Sequence, residues 1–187
     1  KHIELTTFIS HKKIDGGIMA QDSNDFGTED YFTSFYTSGL HRTETEIAKK
    51  STVKETLGGV RARYDKNKLK LGLTAVAGKF NPPLGMRTRL YQKFHFADES
   101  FTNLGFDYSM ILGKFFIFGE TGFDLDHFAT INGIIANLGS KISTGLLYRW
   151  YPPEYTAIYA NAFREGGQVN NEQGLYWAIS LRPWKKW

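Results

Sequence analysis

Thr102-Asn103-Leu104-Gly105-Phe106-Asp107-Tyr108-Ser109-Met110-Ile111 decides how the rest of the chain is read. One parity carries Leu104, Phe106, Tyr108 and Met110, and the other carries Asn103, Gly105, Asp107 and Ser109. Successive side chains of a strand point to opposite faces, so this period of two predicts a strand with a large apolar face and a small polar one. The separation recurs along the chain. Leu69, Leu71 and Leu73, continued by Ala75 and Ala77, alternate with Lys68, Lys70, Gly72, Thr74, Val76 and Gly78. Ile142, Thr144, Leu146, Tyr148 and Trp150 oppose Ser143, Gly145, Leu147, Arg149 and Tyr151, while Leu175, Trp177, Ile179 and Leu181 oppose Tyr176, Ala178, Ser180 and Arg182. Less regular alternation at 3–9, 14–20, 57–64, 115–125 and 129–137 brings the expectation to about nine strands.

The contrast between faces and the spacing of the links point to one architecture. A soluble sandwich or barrel fills its interior with large apolar side chains and covers its outside with Lys and Glu. Here the polar faces are small and the apolar faces large and aromatic, the pattern of a transmembrane barrel with lipid outside and a hydrated lumen. Short links are expected at 10–13, 65–67, 112–114, 138–141 and from Pro183. Between them lie long links at 21–54, 80–100 and 152–173, with a shorter one near Asp126. Such alternation is what an up-and-down transmembrane barrel writes into a sequence, whereas a Greek key scatters its long connections. Aromatics at strand ends, Tyr148, Trp150 and Tyr151 and then Trp184 and Trp187, fit an interfacial girdle. The expected fold is therefore all-β, an antiparallel up-and-down transmembrane β-barrel forming one segment over 1–187. Its lipid-facing residues are expected to be Leu69, Leu71, Leu73, Leu104, Phe106, Tyr108, Met110, Leu146, Tyr148, Trp150, Leu175, Trp177, Ile179 and Leu181.

Composition narrows the function classes. The 187 residues are 16% aromatic and 41% hydrophobic, enough apolar surface to exclude a disordered chain. There is no cysteine, which removes disulfides, thiolate metal sites and Cys nucleophiles together. Apolar runs such as Phe115 to Phe118 are far too short for a transmembrane helix of about 20 residues, a limit that does not touch strands. A net charge of +4 with no basic block gives no nucleic-acid footprint, so no nucleic-acid partner is expected for this segment by itself.

Thr43-Glu44-Thr45-Glu46 followed by Ile47-Ala48-Lys49-Lys50 has the form of a capping box with charges matched to the helix dipole. A short helix is expected within an insertion over about 40–52, either folding over the barrel mouth or lying on the surface. His2, His11, His41, His95 and His127 show no metal-ligand spacing, and Asp124, Asp126 and His127 read as a solvated loop. The Gly-Gly pairs at 16–17, 58–59 and 166–167 lack the context of phosphate loops, no serine sits in a nucleophile elbow, and Arg87, Arg89, Asp98 and Glu99 read as loop charges. No catalytic, cofactor or metal site is expected, and the chain reads as non-enzymatic. Arg61, Arg63, Lys68, Lys70, Asp107, Glu120, Arg149 and Arg182 take the parity of the lumen, where they either line an aqueous path or pair across the interior and plug it.

Gly39-Leu40-His41-Arg42-Thr43 with Thr45-Glu46-Ile47, Leu147-Tyr148-Arg149, and Tyr159-Ala160-Asn161-Ala162-Phe163-Arg164-Glu165 with Asn171-Glu172 and Gly174-Leu175-Tyr176 form a recognisable set. With these stretches the whole chain resembles the β-rich C-terminal region of large helix-hairpin-helix domain-containing proteins of Bacteroidota. The resemblance implies a bacterial outer-membrane barrel preceded by small helical modules, which are absent here, and further strands beyond Trp187. An odd strand count ending in a turn at Arg182-Pro183-Trp184 agrees with a larger barrel. The expected function is a porin-like pore or the membrane scaffold of a cell-envelope assembly, with the lipid bilayer and other envelope proteins as partners. Surface DNA handling together with helix-hairpin-helix modules is an analogy only. The alternative, from another class, is a soluble β-barrel or sandwich that binds a small apolar ligand.

Overall fold

The computed structural model describes residues 2–19, 31–85, 94 and 96–182. It is all-β. The strands are β1 (Ile3–Ile14), β2 (Gly16–Met19), β3 (Tyr31–Phe35), β4 (Val53–Lys66), β5 (Leu69–Asn81), β6 (Ser100–Leu112), β7 (Phe115–Phe123), β8 (Phe128–Asn137), β9 (Ile142–Tyr151) and β10 (Glu172–Leu181), with one helical turn, α1 (Glu44–Ile47). Eight of them form an antiparallel sheet in the order β1-β4-β5-β6-β7-β8-β9-β10, and β2 and β3 pair as a separate hairpin. The sheet is not closed, and β1 and β10 stand at its two edges.

Turn chemistry explains the short connections. Asn67 sits at φ 57° between β4 and β5, and Gly113 at φ 59° between β6 and β7, the left-handed conformations that tight reversals require. One expected turn is absent. Ser10-His11-Lys12-Lys13 contains no Gly, Pro or Asn to break the strand, and β1 runs straight through it to Ile14. The His11 ring bonds Thr56 Oγ1 at 2.8 Å, and Lys12 Nζ lies 3.6 Å from Glu55 Oε1. The break in the strand falls at Asp15 instead, between β1 and β2. The strand expected over 14–20 consequently shrinks to β2 and leaves the main sheet to pair with β3, which lies inside the supposed link 21–54. About nine strands thus become ten among the described residues, eight of them in the main sheet.

The capping box is formed: Thr43 Oγ1 accepts from the Glu46 amide at 3.3 Å, and Glu46 Oε2 accepts from the Thr43 amide at 3.2 Å. The helix is short, as expected, at four residues. Beyond Ala48 the Lys49 carbonyl is taken by Gly16 N and Thr52 Oγ1, so Lys49 and Lys50 do not continue it. The link beginning at Pro183, with Trp184 and Trp187, and Arg87, Arg89 and His95 lie outside the described residues.

The chain divides into two compact units. One comprises 7–59 and 76–102, where Phe32, Phe80 and Val53 are fully buried and the rings of Phe32, Phe35 and Phe80 meet edge to face at 5.2–5.6 Å. The other comprises 1–6, 60–75 and 103–187 and contains β7 to β10 whole. Its registers are continuous from β6 to β10, and they fix which side chains share a face.

Candidate functional site

Directly opposed residues of an antiparallel pair project to the same side. Asp107 opposes Glu120, Glu120 opposes Ile131, Ile131 opposes Arg149, and Arg149 opposes Gly174, so three charged side chains stand in one row across β6 to β10. Arg61 of β4 extends this row: its Nη2 meets Asp107 Oδ1 at 2.8 Å and its Nη1 donates to Thr74 Oγ1 at 2.9 Å. The approach runs over Gly72 of β5, where any Cβ would collide with the Asp107 carboxylate. Four of the eight candidate lumen charges are thereby brought onto one face. The others gather where the short turns lie. Arg63 and Lys70 reach Asp65 at 3.1 and 3.6 Å, Lys68 occupies the β4–β5 turn rather than a strand, and Arg182 follows the end of β10, its amide bonded to Lys141 O.

At the other end of the strands, the segment from Pro152 to Asn171 folds onto this polar face. Tyr155 and Val169 are buried with Ala129 and Tyr151, and Ile131, Ala157 and Ala162 pack beside them. The Tyr155 hydroxyl lies over Gly122, leaving no room for a Cβ. Both backbone groups of Thr156 are held, its amide by Asp124 Oδ2 at 2.7 Å and its carbonyl by Asn103 Nδ2 at 2.8 Å. Tyr151 Oη donates to the Phe163 carbonyl at 3.1 Å. Arg149, 5% exposed, closes the set: Nη2 donates to Glu165 Oε1 at 2.7 Å, Nε lies 3.3 Å from Glu172 Oε2, and the guanidinium sits 5.0 Å over the Phe163 ring. Burial, with Asp124 and Glu120 adding to it, pushes the Tyr155 hydroxyl up to about 12.

The opposite face is bare. Its rows read Leu104–Phe123, Phe106–Thr121–Thr130–Trp150, Tyr108–Gly119–Asn132–Tyr148–Leu175, Met110–Ile117–Ile134–Leu146–Trp177 and Leu112–Phe115–Ala136–Thr144–Ile179. Trp177 is 70% exposed, Leu175 67% and Leu73 61%, and Leu104, Phe106, Leu146, Tyr148, Ile179 and Leu181 are likewise exposed. Leu69, Leu71, Tyr108, Met110 and Trp150 are half-buried. The polar groups on this face satisfy one another. Tyr108 Oη donates to Asn132 Oδ1 at 2.9 Å, Asn132 Nδ2 to Thr130 Oγ1 at 2.9 Å, and Trp177 Nε1 to Thr144 Oγ1 at 3.0 Å. The eight residue steps from Leu104 to Leu112 span about 27 Å along the strand. At a strand tilt of 35–45° that is a height of about 20 Å, close to the apolar band of an outer-membrane barrel.

Asp124 shows why the Asp124, Asp126 and His127 trio is a loop device. Its carboxylate accepts from the amides of Asp126, His127 and Thr156, which leaves it structural. Among the described residues no group of three or more His, Asp or Glu could hold a metal ion, and no helix is long and apolar enough to cross a membrane. Sequence reasoning missed Tyr155, Val169, Asn103, Glu165 and Glu172 as anchors of the segment 152–171. A signal existed: Tyr155, Ala157, Ile158, Ala162 and Val169 are more apolar residues than a solvated link needs. No family model, curated protein or solved structure matches the chain.

Proposed function

We propose that this chain is a non-enzymatic segment of a bacterial outer-membrane β-barrel that serves as membrane scaffold for a cell-envelope assembly, its interior stoppered by residues 152–171. The observation that carries the reading is the opposition of the two faces. The chain lays its own loop on the polar face and leaves the continuous apolar face uncovered, whereas a water-soluble protein gains most by covering its apolar face. In a bilayer the preference inverts, because the apolar rows meet acyl chains and the polar row needs an interior. Sequential antiparallel strands with β1 and β10 as edges fit an up-and-down barrel, and further strands between those edges complete it. The resemblance to the barrel region of Bacteroidota helix-hairpin-helix domain-containing proteins supports the same reading.

Extraction tests the membrane assignment. The scaffold reading expects the chain in the detergent-soluble membrane fraction, and recovery as a folded monomer in buffer without detergent would sink it in favour of a soluble apolar-ligand binder. A pore is the second reading, favoured by the charged row Arg61–Asp107–Glu120–Arg149. Reconstitution in a planar bilayer decides between them. A stoppered scaffold is silent and copurifies with other envelope proteins, whereas steady conductance by the unmodified chain establishes the pore.

A further inference from the structure

The short-turn end of the β6–β10 unit carries a charge pattern that the scaffold role leaves unused. Arg63, Lys66, Lys68, Lys70, Lys114, Lys141 and Arg182 gather there against two acids, Glu4 and Asp65. Asp65 is engaged by Arg63 and Lys70. Lys66, Lys68, Lys114, Lys141 and Arg182 are exposed and make no ion pair among the described residues. The loop end of the same unit has the opposite sign, with Asp124, Asp126, Glu154, Glu165 and Glu172 against Arg149 and Arg164.

Position matters more than the tally. Three of the five unpaired cations sit one step beyond an exposed apolar side chain of the bare face: Lys114 beside Phe115, Lys141 beside Ile142 and Arg182 after Leu181, while Lys66 and Lys68 flank Asn67 in the β4–β5 turn. A long cationic side chain in that position keeps its methylenes on apolar surface and lifts its charge to the headgroup level. We propose that this rim is a docking surface for the phosphate headgroups of anionic phospholipid in the leaflet on the short-turn side. The proposal rests on the barrel reading. An acidic protein would need a surface shaped to three separate turns and one strand end, whereas a leaflet offers mobile phosphates at one level around the whole rim. Attraction of this kind acts within a Debye length and is screened by salt.

The test reconstitutes the full chain in phosphatidylcholine vesicles containing phosphatidylglycerol and measures, with spin-labelled lipids, the association of each species with the protein. Phosphatidylglycerol is expected to be preferred by at least about threefold at low salt, falling toward parity at about 0.5 M salt. The combined variant Lys66→Ser, Lys68→Ser, Lys114→Ser, Lys141→Ser loses the preference, with strand content by circular dichroism unchanged. Removing the same number of charges by Lys13→Ser, Lys49→Ser, Lys50→Ser and Lys54→Ser leaves it intact. Equal association of the two lipids, a preference that survives in the rim variant, or one lost equally in the control variant overturns the proposal. Displacement of the labelled lipid by polyglutamate at low stoichiometry overturns it in favour of an acidic protein partner. If the chain enters no vesicle and remains in detergent-free buffer, the barrel reading itself fails; if it enters neutral and anionic vesicles alike without selecting lipid, only the rim proposal fails.

Discussion

Arg61 and Asp107 lie on strands separated by β5, and their 2.8 Å ion pair exists because Gly72 leaves the space above that strand empty. Gly72→Ala is therefore expected to separate them. Both side chains are more than a third exposed, so the pair itself contributes no more than about 1 kcal/mol. A double-mutant cycle of Arg61→Ala and Asp107→Ala measures this coupling, and a Gly72→Ala background should abolish it; undiminished coupling there would show that the pair does not depend on the glycine.

Arg149 is the clamp on the segment 152–171. Glu165 is largely exposed and its pair is weak, but Arg149 and Glu172 are 6% and 15% exposed, so removing the guanidinium leaves a nearly buried carboxylate without its charge partner. Arg149→Met is expected to destabilise the segment by about 1–3 kcal/mol. The readout is trypsin cleavage after Arg164, which should be slow in the parent and rapid in the variant. In the planar bilayer the same variant should show intermittent conductance where the parent is silent.

Side-chain parity can be tested directly. Phe106→Arg and Leu146→Arg place a charge on the bare face and, if that face meets lipid as proposed, are expected to cost about 2–4 kcal/mol near the bilayer midplane, measured by unfolding from lipid vesicles. Ser109→Arg and Ser143→Arg, on the polar face, should cost much less. Equal penalties would contradict the assignment of faces.

Tyr155 gives a pH dependence at the alkaline end. Its hydroxyl is raised from the ordinary 10.0 to about 12 by burial, so the neutral form is favoured in the folded state. The stabilisation is complete below pH 10 and is lost as pH rises from about 10 to about 12. Tyrosinate absorbance of the parent minus that of Tyr155→Phe should titrate near the upper value; a difference curve centred at 10 would mean that the hydroxyl is hydrated.

Asp15 gives one at the acid end. Its carboxylate accepts from the Ser51 amide at 2.8 Å and pairs with His41 Nε2 at 2.7 Å, and the Ser51 bond first, then His41, holds it below the ordinary value of 3.8. A depressed carboxylate stabilises above its unfolded value, so protection of the Ser51 amide from hydrogen exchange should persist to about pH 4 and fall below 3.8. Asp15→Asn keeps an acceptor for Ser51 and should remove the acid step.

Strand existence was legible wherever one face was uniformly apolar, as in β6, β9 and β10, because period two there expresses a single energetic demand. It was less legible at Ser10 to Lys13, whose polarity suggests a turn although the segment holds no Gly, Pro or Asn. β3 was hidden because Tyr31 to Phe35 serves a local aromatic cluster rather than a two-faced sheet. Parity located Asp107, Glu120 and Arg149 on one face without register, since alternation alone determines that. It could not supply their partners: Glu165 and Tyr155 reach the face through a loop fold that no periodicity encodes, and the Arg61–Asp107 pair needs a glycine two residues from the nearest charge on its own strand.

β10 is exposed along nearly its whole length on both sides, and among the described residues β9 is its one neighbour. Its open edge offers an unpaired run of amides and carbonyls alongside Leu175, Trp177, Ile179 and Leu181, a template for any extended chain that drifts past. Left in water, this strand would be a site for self-association. On the proposed barrel reading, β10 therefore has to be masked by a carrier, or paired with a further strand faster than two copies meet.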